Sequence, residues 1–520
     1  MVQRSSKRLG SISKIWYLLA FFVILLVGFW DLIAKAETNL VSWSDTPYLV
    51  WVMFQNIGHL KSGNLAGFFE TNAFYPNKLS LFFSDLLIPQ SLMALPLTFF
   101  TPNPILVFNL VLLATLILNY WSLFSFWKLI SKRENLAFYG AIFFVFGPFL
   151  FLQKAHPQMW FYWPFFFALY FWFKDRKVLT GLMLAIQFLA SVYLAVFLLV
   201  VLGVSVFLNF GQLKKYLTVI LVFAVIDGVF IGGYLRMKKT YNFVRNRAEY
   251  EMYAAWPADY VFTTGTTSLL GQTQALKKWN SYDLHNEGEK GMFPGIVISV
   301  LAVMGLIKSR AKRKLFFVVV VGLSLVNSLG TRIYGVPTLY VLVGRYMPLA
   351  DSIRAMARWN FLFYFGLVYF VIEGLKKIKN KWIWLVLVMV FLFESMPLFK
   401  TEARDYVSGY EGIREKCLQK RQVLLEVPVT HFEYSGGMIA GIDYLSKMHL
   451  SSLYHECFLY NGYGSYQPKN LFKLRDEMDK CLSSGDKKCF SDLMKIEGIN
   501  LVKFNEEKWI KFFGQKVVEF

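Results

Sequence analysis

Residues 104–127 read PILVFNLVLLATLILNYWSLFSFW. As a helix these residues, none of them charged, rise about 36 Å, more than the ~30 Å of hydrocarbon in a bilayer. Comparable apolar stretches occupy 15–34, 136–151, 160–173, two shorter runs within 178–208, 216–234, 292–307, 315–329, 361–375 and 383–398. Over 520 residues the chain is 56% hydrophobic and 18% aromatic, too apolar for a soluble surface. The expected fold class is a polytopic α-helical membrane protein with about eleven transmembrane helices.

Lys and Arg outnumber Asp and Glu by 55 to 34, a net charge of +21. This excess does not predict a nucleic-acid partner, because the basic residues sit in short clusters between apolar stretches. Examples are Lys128, Lys132 and Arg133; Lys174, Arg176 and Lys177; and Lys214 with Lys215. Short basic loops stay on the cytoplasmic side, which places the N-terminus inside the cell (plasma or inner) membrane. Ala34-Lys35-Ala36 resembles a signal-peptidase site, but more spans follow, so the first helix is expected to be retained. Residues 79–100 are apolar but broken by Asp85, Pro89 and Pro96. A full crossing there would export the 128–133 cluster, so this segment is expected to be interfacial or re-entrant on the outer face.

An odd number of spans leaves the tail outside. The domain expectation is therefore a membrane domain over 1–399, with outer loops at 35–77 and 235–291, and a soluble extracytoplasmic α/β domain over 400–520. Within the tail, 422–428 reads as a buried strand and 500–504 as another, while Leu471, Leu474, Met478 and Leu482 recur at helical spacing. All four cysteines, Cys417, Cys457, Cys481 and Cys489, lie in it without a CxxC pair. Disulfides and free thiols both remain open, and four cysteines allow three pairings.

The candidate functional residues cluster at the outer loops. Asp45, in Trp43-Ser44-Asp45-Thr46-Pro47-Tyr48, is a candidate general base for deprotonating an acceptor hydroxyl. Its plain alternatives are a helix N-cap or a solvated carboxylate. Glu70 and Asp85 offer two roles, holding a divalent cation such as Mg2+ or Mn2+ or shaping an acceptor site, against the plain reading of a capping acid. His156 lies in a tight outer turn, where substrate contact competes with simple interfacial placement. Arg354 and Arg358, four apart, would share a helix face and suit a phosphate group, or else a lipid headgroup. No GxxxxGK[ST] motif occurs, and no GxGxxG lies between a strand and a helix, which disfavours an ATP-driven pump.

The order of several short motifs resembles the GT-C superfamily of integral-membrane glycosyltransferases, in particular bacterial YfhO-like members. These motifs are Asp45 after the first helix, Phe74-Tyr75-Pro76, Asn103-Pro104 with Phe108-Asn109-Leu110, and Phe146-Gly147-Pro148 before His156-Pro157-Gln158. Further along come Phe293-Pro294-Gly295, Ser328-Leu329-Gly330 and Arg354 to Arg358. The resemblance implies transfer of a sugar from a polyprenyl-phosphate donor to a glycan, lipid or protein acceptor at the cell envelope. It maps the catalytic acid of the first outer loop onto Asp45. Members commonly carry two adjacent acids there, whereas here Ser44 precedes Asp45. Glu70 and His156 are then expected substrate contacts, and Arg354 with Arg358 the phosphate grip. Two other classes stay open: a transporter or flippase of lipid-linked glycans, for which Asp227 within a span is the one feature, and a non-catalytic membrane scaffold.

Overall fold

The structure, a computed structural model, describes residues 2–64, 66–243, 247–261, 291–331, 338, 353–396, 399–430 and 438–520. Arg245, residues 262–290 of the second outer loop, residues 339–352 and the end of the last expected span at 397–398 lie outside the described residues. The chain forms two compact units. One comprises Met1–Ala36, Leu112–Gly228 and Arg245–Thr401; the other comprises Glu37–Val111, Val229–Val244 and Glu402–Phe520.

Among the described residues, three helical stretches are long and apolar enough to cross a membrane: Pro104–Ser131, Glu134–Leu152 and Phe210–Thr240. Shorter apolar helices of 10–17 residues occupy Ile15–Gly28, Lys177–Ala190, Val192–Leu208, Ile296–Lys308 and Lys314–Ser328. Trp163–Phe173, Asn360–Leu375 and Lys381–Ser395 are helical as well.

The first unit is held by aromatic packing and by close helix crossings. Phe361 and Phe365 lie against Phe144, Phe165 and Phe166, and Phe317 stacks on Tyr369 at 3.8 Å. Helix Ile296–Lys308 approaches Asn360–Leu375 through glycine. A Cβ on Gly305 would stand 1.8 Å from the Phe370 carbonyl oxygen, and one on Gly374 would stand 2.4 Å from that of Leu301. Small residues of this kind let backbones meet where lipid supplies no hydrophobic drive.

Irregular backbone in an apolar setting must still be hydrogen-bonded, and buried amides do this around 160–165. Gln187 donates to the Phe161 carbonyl (2.9 Å) and accepts from the Phe165 N–H (3.0 Å), while Asn119 donates to the Trp160 carbonyl (2.6 Å). Similarly, the Glu394 carboxylate accepts the Ile296 and Val297 N–H groups at the start of their helix.

The second unit contains a four-stranded sheet of order β2-β1-β3-β4, with β1 Val423–Val427, β2 Phe458–Leu459, β3 Leu501–Phe504 and β4 Val517–Glu519. β1 runs parallel to both β2 and β3, and β4 is antiparallel to β3. Every residue of β1 is buried, Glu426 included, in keeping with the buried strand expected at 422–428. Helix Lys469–Ser483 turns Leu471, Leu474, Met478 and Cys481 inward. The expected fourth position, Leu482, is only half-buried. Cys481 takes the inward place and is bonded to Cys489; Cys417 is bonded to Cys457. Helix Met438–His455 packs on helix Thr46–Ser62 of the first outer loop. Residues 79–100 form three short pieces, Ser80–Phe83, Ile88–Ala94 and Leu97–Phe99, none of them long enough to cross a bilayer. Leu92, Phe99 and Phe100 are exposed there.

Two histidines of the second unit are buried and neutral. Burial pushes His449 down to about 3. Burial also takes His455 to about 3, with the Lys503 charge adding to it.

Two outcomes are expected. Gly305→Ala destabilises the protein by about 1–3 kcal/mol, because backbone rather than a flexible side chain blocks the new methyl. Gly322→Ala, with nothing within 4 Å of its Cβ, serves as the control in thermal unfolding of detergent-solubilised protein. For the histidines, the unfolded chain binds protons below about pH 6.5 while the folded chain resists until about pH 3, so stability is full above that window and is lost as pH falls through it. Each histidine adds a slope of about 1.4 kcal/mol per pH unit. His455→Asn, which keeps an acceptor for the Cys457 N–H, should flatten the fall in melting temperature between pH 7 and pH 5 relative to wild type.

Candidate functional site

The sequence-derived site residues divide between the two units: Asp45 and Glu70 in the second, His156, Arg354 and Arg358 in the first.

Asp45 occupies the N-cap position of helix Thr46–Ser62, with Pro47 in the first turn fixing the start of the helix. Its side chain makes no capping hydrogen bond. Instead, Oδ1 accepts from the Tyr463 hydroxyl at 2.8 Å, a contact spanning 418 positions of sequence. The partner comes from the loop Asn461-Gly462-Tyr463-Gly464, which follows β2. Asp45 is half-buried, so the carboxylate keeps access to solvent.

Charged neighbours surround that position within the same unit. Arg404 donates to Asp443 (3.1 Å) and pairs with Glu402 (3.4 Å), and its guanidinium lies 5.9 Å from the Trp43 ring centroid. Burial pushes the Asp443 carboxyl above its ordinary value against the pull of Arg404, and the negative charges of Glu402 and Asp45 push the same way. The Tyr48 phenol is likewise raised, by burial first, with the charges of Asp85 and Asp45 adding. Asp45, Asp85 and Asp443 therefore act on a shared electrostatic neighbourhood.

Glu70 pairs with Lys78 at 2.9 Å, both largely solvated, and its backbone carbonyl contacts His59 at 2.7 Å. Among the described residues no three His, Cys, Asp or Glu side chains converge to hold a metal ion.

In the first unit, His156 sits in the turn between helix Pro148–Leu152 and the short helix Pro157–Trp160. Beside it, Lys154 donates to the Lys400 carbonyl (2.8 Å) and lies 5.5 Å from the Phe399 ring centroid, an anchored position rather than a snorkelling one. Arg354 and Arg358 depart from expectation. They do not share a helix face, because the helical turn begins only at Met356 and runs to Trp359. Tyr193 joins them instead. Its hydroxyl oxygen accepts the N–H groups of Arg354 (3.1 Å) and Ala355 (3.0 Å), and its ring lies 4.8 Å below the buried Arg358 guanidinium. Arg354 itself reaches Glu249 at 3.8 Å and covers the Tyr253 ring. Tyr193, Tyr463 and Asp443 carried no local sequence signal; flanking glycines around Tyr463 were the one available hint.

Solved structures share this fold. The cryo-EM structure of arabinofuranosyltransferase AftD from mycobacteria matches with a TM-score of 0.56 at 13% identity, over 94% of this chain and 35% of that one. A mutant of the same enzyme gives 0.55 at 11% identity, over 94% and 36%. This chain thus spans about a third of the length of AftD. At such identity the likeness is one of fold alone. No curated protein matches the chain in sequence. The profile of a domain of unknown function, DUF6311, matches residues 17–393, well over half of the sequence. The chain belongs to the DUF6311 family.

Proposed function

We propose that the chain is a membrane glycosyltransferase that moves a sugar from a polyprenyl-phosphate donor to a hydroxyl of an envelope glycan, lipid or protein on the outer face of the cell membrane. The observation that carries this reading is Asp45: a carboxylate at a helix start that leaves capping undone, is oriented by a phenol and stays half-exposed. The GT-C-like fold gives the reading its reaction class, and the name of AftD favours a pentofuranosyl donor over others. The resemblance to YfhO-like members supports a lipid-linked donor.

Asp45 removes the proton from the acceptor hydroxyl as that oxygen forms its bond to the anomeric carbon. The bond from that carbon to the phosphate oxygen breaks, and polyprenyl phosphate leaves with the electron pair. Arg354 and Arg358 are proposed to steady the phosphate charge, a task that suits guanidinium donors. Glu70 and His156 are proposed as contacts to the acceptor or the donor sugar.

A second reading, a transporter of lipid-linked glycans, draws on Asp227. It is fully buried in helix Leu213–Thr240, and among the described residues neither carboxylate oxygen has a hydrogen-bond partner. Such a residue in an apolar helix is a functional candidate by itself.

Sugar transfer from a pool of radiolabelled polyprenyl-phosphate sugars distinguishes the two. Asp45→Asn is expected to lower kcat by about 100-fold or more. Arg358→Ala is expected to raise KM for the donor by about tenfold, the loss of a charge-assisted contact. Full transfer by Asp45→Asn would remove the base, and no transfer by either the wild-type protein or Asp45→Asn, with donors and acceptors varied, would favour the transporter reading.

A further inference from the structure

Asp45 is contacted by a side chain that the proposed chemistry does not yet use. The Tyr463 hydroxyl donates to Asp45 Oδ1 at 2.8 Å, and the backbone N–H of Tyr463 donates to Nε2 of His449 at 2.7 Å. His449 is itself immobilised. It is fully buried, with its ring 4.2 Å from that of Trp51, 5.0 Å from that of Tyr48 and 6.1 Å from that of Phe74. Tyr48 and Trp51 lie on the helix that Asp45 begins, so the acid and its donor are built on one frame. Tyr48 also meets the Tyr463 ring edge-on at 5.7 Å. Gly462 completes the arrangement. A Cβ there would stand 2.7 Å from the Phe74 ring and 3.1 Å from His449, so only glycine lets the loop come close enough for the Tyr463 N–H to reach the imidazole.

We infer that Tyr463 is a positioning residue for Asp45, and that His449 sets Tyr463 in place; the inference rests on Asp45 being the base. A carboxylate has two oxygens and four lone-pair directions. With Oδ1 engaged by the phenol, rotation of the carboxylate is restricted, which fixes its orientation towards an acceptor hydroxyl. Preorganisation of this kind acts on the rate of the proton-transfer step rather than on substrate affinity. The tail segment after β2 thereby takes part in the reaction through one hydroxyl.

Two readouts test this on the full-length protein in detergent. The first needs no activity: carbodiimide labelling of Asp45 with an amine nucleophile, read by peptide mass spectrometry. Tyr463→Phe keeps the ring and removes the donor, and should raise Asp45 labelling about threefold or more, whereas Tyr466→Phe should not. His449→Leu should raise it as well, while His449→Gln, which restores an acceptor to the Tyr463 N–H, should return it towards wild type. The second is a double-mutant cycle in the transfer assay. Tyr463→Phe should lower kcat about tenfold with KM within about twofold, and should cost nothing further in the Asp45→Asn background. Unchanged labelling in Tyr463→Phe, or an equal kcat loss in both backgrounds, overturns the inference. Increased labelling together with full transfer by Asp45→Asn would overturn the base assignment while leaving the Tyr463 to Asp45 bond in place, so the two failures are distinct.

Discussion

The hydrogen bonds of Asn72 are what the second unit depends on. One residue of the first outer loop uses every polar group it has. Its N–H donates to Gln55 (3.2 Å), its carbonyl accepts the Leu459 N–H (2.6 Å), and its side-chain oxygen accepts from the Trp51 indole (2.8 Å). Its amide nitrogen donates to Ser452 and to the Cys457 carbonyl, both at 3.2 Å. Three residues on, the Tyr75 N–H donates to the Leu459 carbonyl at 2.9 Å. β2 is an edge strand, and an open edge exposes a row of unpaired backbone groups. Asn72 and Tyr75 cover it. Segment and strand thus satisfy backbone groups that each would otherwise leave unmade.

That constraint reaches the candidate base. Gln55 and Trp51 belong to helix Thr46–Ser62, so the bonds that tie Asn72 also tie the helix whose first residue follows Asp45. Packing of that helix on Met438–His455 brings His449 against Tyr48 and Trp51, and the loop after β2 then carries Tyr463 over the carboxylate. The acid's surroundings are thus a consequence of how a sheet edge is covered.

Much of this could be read from residues alone, and the division is physical. Apolar stretches announce helices because hydrocarbon tolerates little else, and the strands at Val423–Val427 and Leu501–Phe504 lie where short runs rich in valine and leucine, each with one charged residue, placed them. Periodicity in the tail gave three of four inward positions and missed Cys481, which helical spacing of three from Met478, rather than four, puts on the buried face, where it is bonded to Cys489. The pairing of the four cysteines was not legible, since composition does not rank three equivalent connectivities. Arg354 and Arg358 failed as a helical pair for a local reason: two successive N–H groups at 354 and 355 are taken by the Tyr193 hydroxyl, and the helical turn starts after them. Tyr463 lies 418 positions from Asp45, and no spacing rule reaches that far.

The two buried or half-buried acids that compete for a functional role differ in what surrounds them. Among the described residues Asp227 has no hydrogen bond to either oxygen and sits in the stretch between Lys215 and Arg236 that carries no other charge, so a charge there would be uncompensated. A group in that position is suited to holding a proton or meeting a polar ligand, and poorly suited to cycling between protonation states within a reaction. Asp45 has a phenol on one oxygen and solvent access, and it shares its field with Arg404 through Asp443. A general base must give up its proton after each turnover, which requires a route to water and a stabilised anion. Asp45 keeps partial exposure, and it is on that difference that the proposal rests on Asp45 rather than on Asp227.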